Sequence, residues 1–131
     1  MRQRLKSLQR LLSVQKDIHR LAEWRFAAIE RQLVTLHAEE KRLMSYLDDE
    51  RFFTLAYTKV IVEKLRALAE AKECFTRERQ AQSRILIEGA RRMGQMARAT
   101  EAAAEECRRD DEKRELDGAI EATLNRLMAQ N

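Results

Sequence analysis

Apolar residues recur along the first third of the chain in alternating steps of three and four. One seam position holds Leu5, Leu12, His19, Phe26, Leu33, Glu40 and Leu47, and the other holds Leu8, Gln15, Ala22, Ile29, Leu36 and Leu43. This is the spacing of a coiled-coil helix. It runs for six heptads without Gly or Pro, with Leu11 and Ile18 widening the stripe near its start. The pattern predicts a first helix over about residues 2–47. A stripe this narrow needs a partner along its length, from the same chain or from a second copy.

The register then breaks. Continuing in sevens would place Glu50, Thr54 and Lys64 on the seam, while the stretch from Phe52 to Tyr57 and then Val60-Ile61-Val62 is apolar all round. Asp48-Asp49-Glu50 precedes it, a set of acids suited to the N-terminus of a new helix. A connection is therefore expected at about residues 48–54 and a second helix over about 55–130. Its seam reads Leu65, Leu68, Lys72, Phe75, Arg79, Gln82, Leu86, Gly89, Met93, Met96, Thr100, Ala103 and Cys107. Lys72 and Arg79 can lay their methylene stems along such a seam. The i,i+4 pairs Glu73–Arg77, Glu88–Arg92, Glu105–Arg109 and Asp110–Arg114 favour an unbroken helix.

Folding the second seam onto the first gives an expected register. Leu36 faces Leu65, Leu33 faces Leu68, Phe26 faces Phe75, Leu8 faces Met93 and Leu5 faces Met96. Polar His19 meets polar Gln82, and Leu12 meets Gly89. Sliding by one heptad would set Leu36 against Lys72, Ile29 against Arg79 and His19 against Gly89, a poorer match of like with like. The preferred register leaves residues past about 100 without a partner in the hairpin. There an Ala-rich stretch is followed by a stripe of changed phase, Leu116, Ile120, Leu124, Leu127 and Met128. The expected fold is all-α: an elongated antiparallel two-helix coiled-coil hairpin with a longer second helix, a single coiled-coil domain over 1–131.

Composition agrees with this. Of 131 residues 37% are charged and only 5% aromatic, with no Pro and three Gly, as in long helices rather than thick globular cores. Charge is uneven: residues 1–31 are net +5, residues 32–100 net +3 and residues 101–131 net −4. The basic start could pass for a transit peptide, but it already keeps the heptad register, which favours a structural helix. Cys74 and Cys107 form no CxxC pair and read as reduced thiols of a cytoplasmic protein. The longest run without Asp, Glu, Lys or Arg is seven residues, too short to span a bilayer.

The chemistry expected is binding, with no enzyme activity, no metal and no cofactor. The sequence contains no phosphate-binding, dinucleotide, zinc-protease or nucleophile-elbow motif. His19 and His37 lie eighteen residues apart without clustered companions, and Cys107 has no nearby His. Two regions invite partners. Arg2, Arg4, Lys6 and Arg10 form a basic root off the seam, either a solvated surface or an end that docks into an acidic socket. Leu43, Tyr46, Phe52, Phe53 and Tyr57 cluster near the bend, where four of the six Phe and Tyr residues lie. They either close the hairpin or present rings to a partner.

A two-helix coiled coil of this size, basic at the root and with unequal arms, resembles the FliJ family of flagellar type III export stalks, and its injectisome counterpart, the SctO (YscO) family. Leu43 and Tyr46 match a Leu followed three residues on by an aromatic, late in the first helix, with which the family binds the export gate. The family's next aromatic falls on Glu50 here, and Phe52 or Phe53 stands nearby. The resemblance implies a stalk without catalytic activity whose root enters a hexameric export ATPase. It implies a tip that meets the export gate membrane protein, and export chaperones as further partners. The protein would be cytoplasmic, peripherally associated with the membrane-embedded apparatus. An alternative of another class is one uninterrupted helix forming a parallel homodimeric scaffold or spacer. A basic nucleic-acid-binding helical protein ranks third, because few aromatics interleave with the Arg residues.

Overall fold

With no Pro and few β-branched residues outside 58–62, the backbone is free to propagate two long helices. The computed structural model describes residues 2–49 and 55–130. Helix α1 spans Arg2–Asp48 and helix α2 spans Leu55–Ala129, 47 and 75 residues. They pack against each other as a helical hairpin with a longer second helix. The single uninterrupted helix of the scaffold alternative is thereby excluded. Asp48 closes α1, Asp49 N–H donates to the Tyr46 carbonyl at 3.3 Å, and α2 carries no acid in its first turn. The acids at 48–49 therefore end the first helix. Glu50, Phe52, Phe53 and Thr54 lie outside the described residues.

Packing divides the chain into two units, Ile18–Gly89 and Met1–Asp17 with Ala90–Asn131. In the first, Ala22, Leu43 and Ile61 are buried, and Phe26, Ile29, Leu33, Leu36, Leu65, Leu68, Phe75 and Leu86 are half-buried. All but Ile61 are the named seam positions. Ile18 and Leu21 are half exposed, so Ile18 does not widen the core.

The register in this unit is the one the sequence disfavoured. His19 lies against Gly89: a Cβ on that glycine would stand 2.8 Å from the imidazole Nδ1. Gln82, expected opposite His19, is buried and donates through Nε2 to the Ala22 carbonyl at 3.0 Å. The two cations that argued against this alignment find partners in it. Lys72 Nζ donates to Glu40 Oε2 at 2.8 Å. Arg79 sits 5.9 Å from the centre of the Phe26 ring and 3.3 Å from Glu30, combining a cation–π contact with an ion pair. A glycine that makes room for an imidazole, and cations that reach off the seam, outweigh the pairing of like with like.

In the second unit, Leu5, Leu8, Leu12, Gln15, Met93 and Met96 are half-buried, Ala103 and Cys107 are buried, and Arg2 pairs with Asp111 at 3.1 Å. Pairing thus extends about ten residues past the expected limit near 100. Leu11, beside the seam, is half exposed. From Glu112 to Gln130 every residue of α2 is exposed. The expected helix pairs form at Glu73–Arg77, Glu105–Arg109 and Asp110–Arg114.

The Glu40–Lys72 pair carries a pH prediction. The Lys72 hydrogen bond, opposed by partial burial and aided by the ammonium charge, holds the Glu40 carboxyl below its ordinary value. A carboxylate with a lowered folded pKa adds stability above its unfolded value, about 4.3. That stability is lost as pH falls through the lower folded value. Between about pH 6 and pH 3, Glu40→Gln is expected to lose less of its melting temperature than the parent chain. Equal losses in both, followed by circular dichroism, would show that this pair contributes nothing to the acid limb.

Candidate functional site

Where α1 ends and α2 begins, the apolar run that broke the heptad register is put to use. Leu43 and Ile61 are 5% and 3% exposed, the most deeply buried side chains in this unit. Beside them Tyr46, Ala56, Tyr57 and Val60 line an open hollow of about 380 Å³, with Arg42 and Lys64 at its rim. An amphipathic stripe fills one face of each helix. The run 55–62 is apolar on more than one face, so it both buries Ile61 and leaves apolar surface over. Leu55 is almost fully exposed, Tyr57 and Val60 are half exposed, and Tyr46 is half-buried. Arg42 donates to Glu39, which raises its pKa further, so this rim charge is permanent.

Three of the five expected tip residues, Leu43, Tyr46 and Tyr57, line this one hollow. They differ in kind: Leu43 is core, while Tyr57 faces solvent. Phe52 and Phe53 lie outside the described residues. The hollow is apolar with a cationic rim, and it suits an apolar side chain carried on an acidic partner surface.

At the start of α1, Arg4, Lys6 and Arg10 are exposed. Arg2 differs from the other three root residues: its guanidinium holds both carboxylate oxygens of Asp111 at 3.1 Å, so its charge is answered within the chain. Three cations of the expected root remain directed at solvent.

One surface was missed in the sequence. Trp24, the single tryptophan, is 71% exposed and stands with Leu21, Arg25, Ala28 and Arg31 around a shallow hollow. Its signal was a Trp two residues after a seam position, where a coiled coil ordinarily carries charge. Among the described residues no group of three or more His, Cys, Asp or Glu is placed to hold a metal ion. Cys74 is an exposed free thiol and Cys107 a buried one. Among the described residues no helix is long and apolar enough to cross a membrane. No family model, curated protein or solved structure matches this chain.

Proposed function

We propose that the chain is a non-enzymatic stalk or coupling protein of a bacterial type III protein export apparatus, flagellar or injectisome. In this reading Arg4, Lys6 and Arg10 dock the first turns of α1 into a hexameric export ATPase. Tyr46 and Tyr57, set on the buried Leu43, form with Phe52 and Phe53 the surface that meets the export gate membrane protein. Export chaperones are further cargo partners, and the protein works in the cytoplasm against the membrane-embedded apparatus. The observation that carries the reading is the hairpin with a longer second helix, whose first helix starts on exposed cations and ends on an apolar hollow. A stiff helix pair of this kind can bind a ring at one site and pass its position on to another without chemistry of its own.

The docking claim is tested with Arg4, Lys6 and Arg10 changed together to Glu. Arg2 is left in place, because a Glu there would face Asp111. The three are exposed and off the seam, so stability is expected to change little. Stimulation of a purified hexameric export ATPase is expected to fall at least tenfold at equal concentration, with the circular dichroism spectrum unchanged. Undiminished stimulation by the variant rules out this docking.

A further inference from the structure

We propose that the exposed end of α2, residues 112–130, pairs with the same segment of a second copy of this chain in an antiparallel coiled coil. Every residue from Glu112 to Gln130 is exposed, yet the segment stays helical to Ala129. Its apolar residues keep one face. Leu116, Ile120, Leu124 and Leu127 are each 50–61% exposed, and an isolated helix gains little from such a stripe unless something covers it.

The face is complementary to itself. Turned end for end about a point between Glu121 and Ala122, Leu116 meets Leu127 of the second copy and Ile120 meets Thr123. These are the alternating layers of an antiparallel seam. Thr123 is fit for burial because its hydroxyl already donates to the Ala119 carbonyl at 2.9 Å. Its methyl can then face Ile120 with no donor left over. On one flank Arg126 comes beside the small Ala119 of the other copy, one turn from its Glu115, giving two symmetric opposite-charge approaches. A parallel pairing would instead set Glu112 against Asp117 across the seam on both sides, which is repulsive. Charge therefore selects the antiparallel arrangement. At roughly 100 Å² for each half-exposed aliphatic side chain, the eight of the two stripes remove on the order of 800 Å² from water, in the range of weak, transient interfaces. The dimer is accordingly weak and concentration-dependent.

Sedimentation equilibrium of the full chain reads this directly. The parent is expected to pass from monomer to dimer with rising concentration. Ile120→Asp with Leu127→Asp is expected to weaken dimerisation at least tenfold and leave thermal melting of the hairpin in place, since both residues are exposed. Arg126→Glu is expected to weaken the dimer, and Arg126→Glu with Glu115→Arg to restore it. A parent that stays monomeric at every concentration overturns the proposal. So does a dimer indifferent to the two Asp substitutions. A dimer that dissociates with them but ignores both charge variants overturns the antiparallel pairing.

Discussion

Ile61→Ala is expected to lower the stability of the hairpin by about 2–5 kcal/mol, the range for removing a buried aliphatic side chain. In melting temperature this is on the order of 10 °C. Ile61 is 3% exposed and lines the same hollow as Leu43, at 5%. Leu43→Ala is expected to have a similar effect. A two-helix core has few such positions, so each carries a large share of the cohesion. Tyr57→Ala makes the contrast. Half exposed and on the wall of the same hollow, Tyr57 gives up little burial, and its loss is expected to leave melting within about 1 kcal/mol of the parent. If Tyr57 anchors a partner, that substitution costs about 2 kcal/mol or more of binding and shows as lost export in the source cell at an unchanged melting temperature. Should Tyr57→Ala melt as early as Ile61→Ala, with function falling only as the fold does, the hollow is structural and the gate contact fails.

Gly89→Ala is expected to destabilise, against the ordinary direction for such a change. In an open helix interior Ala is worth about 1 kcal/mol more than Gly. At Gly89 the new Cβ would lie 2.8 Å from His19 Nδ1, on a half-buried ring whose Nε2 is held 3.2 Å from Glu23. Overpacking of this kind typically costs about 1–3 kcal/mol, enough to cancel the helical gain and reverse it. Gly118→Ala is the control: nothing lies within 4 Å of its Cβ position, so helicity is expected to rise and melting not to fall. His19→Ala combined with Gly89→Ala replaces a ring and a gap with two methyls. The double variant is expected to be more stable than the sum of the single changes predicts. If Gly89→Ala stabilises as Gly118→Ala does, the imidazole does not occupy that space and the register is wrong.

The pairing of His19 with Gly89 also shows how far the sequence could be read. Two helices, the second the longer, and the face each turns inward were all legible. They follow from local physics: period 3.5 in apolar residues, no Pro, and a break in phase at residues 48–64. All the named seam positions in the described residues are buried or half-buried except Arg79, whose guanidinium reaches out to Glu30. Off the seam, Arg4, Lys6 and Arg10 lie exposed, and Tyr46 and Tyr57 share one hollow with the seam residue Leu43. Register was decided only by tertiary structure. Two heptad seams can meet at steps of seven, and matching like with like favoured the other step, because the choice rests on single contacts that a pattern does not rank. Room for the His19 ring over Gly89, Lys72 reaching Glu40, and Arg79 between Phe26 and Glu30 decided it. That one-heptad slide also settled the status of Ala103 and Cys107, which it buries. In the other unit, pairing likewise runs past residue 100, so α2 is exposed throughout only from Glu112, and the stripe left for another molecule begins there.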